Sequence, residues 1–548
     1  MSPRTNPPDA TGLVIAAQDN NHGPSAEDSK EIGVLEGTAR GSDSTIEDAR
    51  REYNYSSDED ARYEEPHRSA GFWDPRMKKI RGEVVYLWVR MLIILMLFVT
   101  GVLSLYWAVL FHVSKNLPAL NVHVVDFDGQ VAPYGDVTPL VGPAVKAALQ
   151  KMTSSPTQST LGFEIISPEQ YAFDPLAVRQ AVYDWHCWAA VIVNPNATAL
   201  LQSSVATGNA SYDPTGAVQI IIQSARQETT SSSYIVPQLQ AFVRQFSAEF
   251  GPMWTANVMS NSSLSRDAIA NASAAVNPGV SPLQIDLRPF GPASATPSVS
   301  IGLIYLIIVA FFSFAFFLPI HMKFIIPQGH PPLRFWQLIA WRLAATMTTY
   351  FFVSLIYSFV SLAFQIPFWP EPASPIEPAF NATAYGRASF VVYWMVNFVG
   401  MNALGIACEN VAMIVGQPWT ALWLIFWVIT NVSTGFYSLD LAPGFFKWGY
   451  AWPLHHIVQA SRQILFDLHS EIGLNFGVLF AWAAINICLF PFCCYFMRWT
   501  QEREKRAAER GAESYAVYDA QAEGQKKNVP KEKGMLPPVR KRGFMRGM

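Results

Sequence analysis

Residues 91–111 read MLIILMLFVTGVLSLYWAVLF, a run without one charged side chain. A hydrocarbon core about 30 Å thick takes about 20 helical residues to cross. A lone apolar segment in lipid satisfies its backbone N–H and C=O groups only as a helix. This run therefore reads as a transmembrane helix, and five further segments meet the same length: 299–320, 336–366, 388–415, 419–439 and 472–497. Half the chain is apolar and mean hydropathy is positive, which sets it apart from soluble chains of 548 residues.

The net charge of −3 hides an asymmetry. Acidic residues dominate 1–75, which is poor in large apolar residues and reads as a disordered acidic tail rather than a signal peptide. Its run Ser56, Ser57, Asp58, Glu59 and Asp60 reads as a solvated segment before a phosphorylation site. Residues 498–548 are basic. Arg76, Lys78, Lys79 and Arg81 precede the first span, Lys323 and Arg334 lie between the second and third, and Arg498, Arg503, Lys505 and Arg506 follow the sixth. With six spans all of these fall on one side, and the positive-inside rule makes that side, and both termini, cytoplasmic.

The expected architecture is thus an α-helical polytopic membrane protein with six transmembrane helices. The first occupies 84–111, an extracytoplasmic α/β (α+β) domain fills 112–298, and five helices follow in 299–497. Within 112–298, residues 120–129, 162–167, 187–195 and 217–225 read as strands, and 143–152, 174–184 and 231–250 as helices, with Asp174 placed to cap the second. Asn196, Asn209, Asn261, Asn271 and Asn381 each begin an N-x-S/T triplet outside the membrane, where glycosylation is allowed. Asn54 begins another in the acidic tail. Cys187 is the one cysteine of the outer domain, so no disulfide forms within it. Cys408, Cys488, Cys493 and Cys494 read as apolar packers in the spans.

No catalytic constellation emerges and the chain is not expected to be an enzyme. Asp126, Asp128, Asp136, Asp184 and His186 are the carboxylates and imidazole nearest to one. The Asp126/Asp128 pair reads as turn capping before metal binding, and His186 in WHCW as a packed ring. No G-x-S-x-G, H-E-x-x-H or Cys-x-x-C occurs. No cofactor, metal or nucleic-acid partner is expected.

A charge inside a span costs roughly 2.5–3.5 kcal/mol on insertion scales, which makes each one a functional candidate. Arg90, Arg342 and Glu409 stand near the cytoplasmic ends of their spans, with Asn410 beside the last. The arginines can snorkel, whereas the shorter Glu409 needs a partner, and Arg342 is the first choice. An inner-leaflet ionic gate and simple helix-packing glue are both open. Asn397, Asn402, Asn431 and Asn486 either line a polar path or bond neighbouring helices.

Residues 443–470 read PGFFKWGYAWPLHHIVQASRQILFDLHS, too polar to span and too aromatic for a solvated loop. Trp448, Tyr450 and Trp452 suit a headgroup region. From His456 the pattern is helical, with Ile457, Ile464, Leu465 and Leu468 on one face and Gln459, Arg462, Gln463 and Asp467 around the other. Segment 440–471 is expected to lie at the outer interface, or to form two short re-entrant helices hinged at Pro453, closing the outer end of the bundle or resting on lipid. Its candidate gate residues are Pro443, Trp448, Tyr450, Trp452, Pro453 and Arg462.

One span, an outer α/β domain and five spans with PGFFKWGYAWPLHHIVQASRQILFD before the last resemble the membrane half of type-2 ABC exporters. With CWAAVIVNPNATA, LPALNVHVVDFDG, the acidic N-terminus and the basic C-tail, the chain resembles the fungal nitrosoguanidine-resistance family over residues 72–498. That resemblance implies resistance to toxic compounds, by export or by control of phospholipid distribution between leaflets. It implies the plasma membrane, with the endoplasmic reticulum or another secretory-pathway membrane as the alternative. Membrane lipids and a homodimer are the implied partners. No G-x-x-x-x-G-K-[ST] is present to cradle ATP. A separate ATPase docking near residues 321–335 is one expectation; a non-transporting regulator or scaffold is the other. The basic tail would add about 1 kcal/mol of attraction per Lys or Arg close to anionic lipid.

Overall fold

A computed structural model describes residues 71–154, 159–325, 329–416 and 419–526. The acidic tail up to residue 70, its Ser56–Asp60 run and Asn54, and the end of the basic tail lie outside the described residues. The chain divides into two compact units, one ending at Trp88 and the other beginning at Val89.

In the first unit, Asp74 caps a turn at Pro75 by accepting the Arg76 N–H (2.9 Å) and pairs with the Arg76 guanidinium (2.7 Å). Arg81 lies over the rings of Phe72 and Trp73 and donates to the Phe72 carbonyl. Helix α1, Lys78–Phe98, starts here and continues through a π-turn to Ala108.

The second unit contains a five-stranded sheet. Its strands are β1 (Asn121–Asp126), β2 (Gly162–Ile166), β3 (Ala189–Val193), β4 (Val218–Ile222) and β5 (Leu283–Asp286), in the order β2-β1-β3-β4-β5. All pairings are parallel except β3–β4. All five residues of β3 (AAVIV) are buried, as a central strand covered on both faces requires. Helices α2 (Val141–Thr153), α3 (Pro175–Tyr183), α4 (Ala197–Thr207) and α5 (Val236–Ser260) connect the strands. Val122, Val191 and Ile220 pack under α2, α4 and α5, while Val125, Ile192 and Ile221 pack against Val178 and Val182 of α3 on the other face. Asp174 accepts the Leu176 N–H (2.9 Å) with Pro175 at the first helical position, the start expected from sequence.

Helix α5 runs past its expected end at Phe250, through Gly251 and Pro252. Phe242, Phe246, Phe250 and Trp254 recur every four residues, all buried, with successive ring centroids 6.3, 5.1 and 6.4 Å apart. That continuous apolar ridge outweighs the local breakers. Helix α4 and strand β5 carry no strong sequence signal and were not expected.

The long helices that follow the sheet are α6 (Ile304–Met322), α7 (Phe335–Ala363), α8 (Ser389–Val415), α9 (Trp419–Gly435), α10 (Pro453–Phe466) and α11 (Ile472–Lys526). Among the described residues, five helices are long and apolar enough to cross a membrane: Pro75–Ala108, Ala293–Met322, Phe335–Ala363, Gly386–Val415 and Ile472–Gly511. The protein is a polytopic helical membrane protein. The span expected at 419–439 is shorter than its sequence implied. α9 stops at Gly435, and its last turns carry Thr430, Asn431, Ser433 and Thr434, all buried in protein. These side chains turn the helix end inward and leave 17 helical residues, below the roughly 20 of a full crossing.

Helix α8 is the hub, with 78% of its most apolar window buried. Glycines set its close approaches. A Cβ on Gly405 would fall 2.4 Å from the Tyr350 hydroxyl and 2.7 Å from Ala310 Cβ, and one on Gly400 would fall 2.6 Å from Ile457 Cδ1. In lipid, where apolar transfer supplies no drive between helices, such contact packing holds the bundle.

Candidate functional site

Arg342 on α7 and Glu409 on α8 form a buried ion pair, Nη2 to Oε1, with side chains 2% and 3% exposed. Arg342 Nη1 also points at Met413 Sδ (3.4 Å) and Cys494 Sγ (3.6 Å), and the guanidinium lies 5.3 Å from the Phe490 ring centroid. Thr346, one turn beyond Arg342, donates to Glu409 Oε2 (3.3 Å). A buried pair of this kind contributes little net stability, but removing one partner leaves an uncompensated charge.

Glu409 lines a cleft between α6, α7 and α8 together with Ser313, His321, Thr346, Thr349 and Tyr350, the rest of the wall being Phe314, Phe317 and Leu318. The cleft holds about 280 Å³ of empty space, its open mouth included. The Trp341 indole N–H donates to His321 Nδ1 (3.1 Å), so a neutral His321 carries its ring hydrogen on Nε2. The Tyr350 hydroxyl donates to the Ala310 carbonyl (3.3 Å). Sequence reasoning found Glu409 and its partner but missed the other polar residues of the cleft. Their signal is a period of four: Ser313, Phe317 and His321 on α6, and Arg342, Thr346 and Tyr350 on α7.

The other intramembrane candidates lie elsewhere. Arg90 sits on the exposed surface of α1, outside the cleft. Asn410 Nδ2 reaches the Asn486 carbonyl on α11 (2.9 Å), and Asn397 Nδ2 donates to Ser358 Oγ (3.0 Å). Asn402 bonds the carbonyl of Phe398 one turn back. Asn431 Oδ1 accepts the Leu454 N–H (3.1 Å), capping the start of α10. These asparagines bond helices rather than line the cleft.

Segment 443–470 is a 3₁₀ stretch, Gly444–Ala451, followed at Pro453 by α10. The polar side of α10 does not face water: most of the helix is buried, including His456, Arg462 and Gln463, as is Asp467 just beyond its end. Arg462 and Asp467 meet the sheet domain, while His456 and Gln463 bond Asn475 at the start of α11. Trp452 packs tilted against Trp427 and edge-on against Trp448 and Trp482, and donates to Thr430 Oγ1 (3.2 Å). Pro443 precedes the 3₁₀ stretch, and Tyr450 is half exposed with its carbonyl bonded to His456 Nε2 (2.8 Å).

Arg462 donates from Nη1 to the Arg226 carbonyl (3.3 Å). Among the described residues its Nε and Nη2 have no hydrogen-bond partner, and neither has Glu228 Oε2. Burial lowers the Arg462 pKa to about 10 against the opposing pull of Glu228, and burial raises that of Glu228. Arg226, packed over the Trp188 ring at 3.7 Å, is lowered by burial to about 10.

The outer-domain candidates are structural. Asp128 Oδ1 accepts the Thr198 N–H (2.9 Å); Oδ2 accepts the Thr198 hydroxyl (2.5 Å) and the N–H groups of Val141 (3.2 Å) and Gly142 (3.3 Å). One carboxylate thus serves the starts of both α2 and α4. Asp126 pairs with Lys146 (2.8 Å). Among the described residues no cluster of three or more His, Cys, Asp or Glu could hold a metal. Asp136 and His186 are exposed, so His186 is not the packed ring expected. Asp184 faces His469 at 3.3 Å. Cys187 is buried and its thiol pushed up to about 12 by burial. Asn209, Asn261 and Asn271 are exposed, whereas Asn196 and Asn381 are half-buried.

The fold and the buried intramembrane pair define a polytopic membrane protein with an inserted sheet domain. The chain belongs to the family described as "Protein of unknown function (DUF3533)", whose model matches residues 91–488. It is similar to the "Uncharacterized endoplasmic reticulum membrane protein YJR015W" of Saccharomyces cerevisiae, 26% identical over 445 residues that cover 78% of this chain and 83% of that relative. No solved structure matches it.

Proposed function

We propose that the protein moves, or helps move, an amphipathic compound or lipid between membrane leaflets. The observation that carries this reading is the polar cleft at Glu409. A carboxylate and four hydroxyl residues line a recess among helices otherwise suited to lipid, a cost that a purely structural bundle avoids. The sheet domain, joined to α10, is the element that would respond to or direct that movement. The resemblance to exporters and to the nitrosoguanidine-resistance family supports the same reading, with resistance to toxic compounds as its outcome.

The yeast relative is named for the endoplasmic reticulum membrane. We therefore favour a secretory-pathway membrane over the plasma membrane, with both termini cytoplasmic and the sheet domain on the luminal side. This orientation requires α9 to complete a sixth crossing together with the residues that follow it. Energy would come from a gradient or from a separate ATPase, and a homodimer remains a proposal by analogy.

The test is reconstitution of the full chain in vesicles carrying a fluorescent phospholipid in one leaflet. Movement of the label that is lost in Glu409→Gln supports the proposal. No movement, with or without nucleotide and a candidate ATPase, favours the regulator or scaffold reading.

A further inference from the structure

We infer that Glu409 is a reversible proton-binding site reached through the cleft. The inference deepens the transport reading and rests on it for its purpose, though not for its chemistry.

Of the groups lining the cleft, Glu409 is the one placed to accept a proton. Ser313, Thr346, Thr349 and Tyr350 are hydroxyls that stay neutral at ordinary pH. His321 has its Nδ1 lone pair engaged by the Trp341 indole N–H, so a second ring proton would have to break that bond. The two carboxylate oxygens of Glu409 differ. Oε1 is held by Arg342, while Oε2 is met by Thr346, itself a cleft residue. Oε2, the oxygen not held by the guanidinium, is therefore the one beside a cleft residue.

The size and charge of the recess argue against other occupants. The enclosed room is about 10 Å³, space for about one water and none for a phospholipid headgroup. A metal cation would meet one carboxylate already neutralised by a guanidinium and otherwise only neutral hydroxyls and one imidazole, too little negative charge for calcium or magnesium. A proton needs neither volume nor further ligands.

The step balances within the site. A hydronium in the cleft gives its proton to Oε2 and becomes water, and the carboxylate becomes a neutral acid. The new O–H donates to Thr346 Oγ1, which changes from donor to acceptor. Arg342 loses its counter-charge but keeps the Phe490 ring and the sulfurs of Met413 and Cys494. The ion pair between α7 and α8 is thereby broken by one proton, a two-state element of the kind a transport cycle uses.

The test treats the full chain in proteoliposomes with N,N′-dicyclohexylcarbodiimide, which modifies protonated carboxyl groups in apolar surroundings, followed by peptide mass mapping. Modification at Glu409 should rise at least about threefold between pH 8 and about pH 6. Thr346→Val, which leaves the fold's packing intact, should alter that pH profile, because it removes the acceptor for the new O–H. Absence of modification at Glu409 across the range, or modification independent of pH, overturns the inference. PH-dependent modification in vesicles that move no lipid would leave the proton site standing and count against the transport reading instead.

Discussion

Arg288, at the end of β5, and Asp467, at the end of α10, meet in a buried ion pair 2.8 Å long. The arginine also donates to the carbonyls of Asp467, Leu287, Glu377, Ala373 and Ser374. Asp467 is in the left-handed region (φ 49°), and its Oδ2 accepts the Ala373 N–H as well (2.9 Å). One guanidinium therefore ties together the sheet, α10 and the loop between α7 and α8.

Replacing it should be severe. Arg288→Met leaves a buried carboxylate without its counter-charge and several carbonyls without donors, and should cost about 3–5 kcal/mol. Thermal unfolding in detergent would check this, and the double variant Arg288→Met/Asp467→Leu should recover part of the loss. Equal stability of the single variant and the parent would contradict the assigned role.

Asp128 should behave as a double cap. Asp128→Ala removes the acceptor at the starts of two helices and should cost about 2 kcal/mol or more. A chelator should leave the melting of the parent protein unchanged. A chelator-sensitive melt would instead reinstate the metal reading of the Asp126/Asp128 pair.

These two roles show how far sequence reading reached. Apolar length marked α1, α6, α7, α8 and α11, because a span is encoded locally. The caps at Asp174 and the strand patterns of β1 and β3 were legible for the same reason. Glu409 and Arg342 were legible as a pair because a short charged side chain in lipid demands a partner. The environment of α10 was not. Its amphipathic pattern is the same whether the polar face meets water or another domain, and only the three-dimensional placement of Arg288 and Arg226 decides between them. The shortened α9 was likewise hidden, since Phe436 and Leu439 extend the apolar run past the point where the helix ends.

Helix packing around α8 should discriminate between its glycines. Gly405→Ala forces a methyl against the Tyr350 ring and Ala310, and should destabilise the bundle by about 1–3 kcal/mol. Gly400→Ala meets the movable end of Ile457 and should be milder. Comparing the two melting temperatures in one detergent checks the order.

His455 on α10 supplies a pH dependence. Burial lowers its pKa from 6.5 to about 4, while Nδ1 donates to the Thr434 carbonyl (3.1 Å). Between those values the unfolded chain binds a proton that the folded chain refuses, so stability falls as pH drops through the window and is complete above it. The loss is at most about 3 kcal/mol. His455→Gln should flatten this part of the melting-temperature profile; an unchanged slope would assign the dependence to other groups.

The most direct test of the account is whether the Glu409 cleft holds water within the membrane. In a chain with Cys488→Ser, whose other native cysteines are buried, a cysteine introduced at Thr349, on the cleft, or at Ile356, exposed on the outer surface of α7, can be treated with a membrane-impermeant maleimide in native vesicles. The account predicts rapid reaction of Thr349→Cys and little reaction of Ile356→Cys, because maleimides need a hydrated thiolate. Reaction at neither site, or equally at both, would contradict a polar cleft in the bilayer.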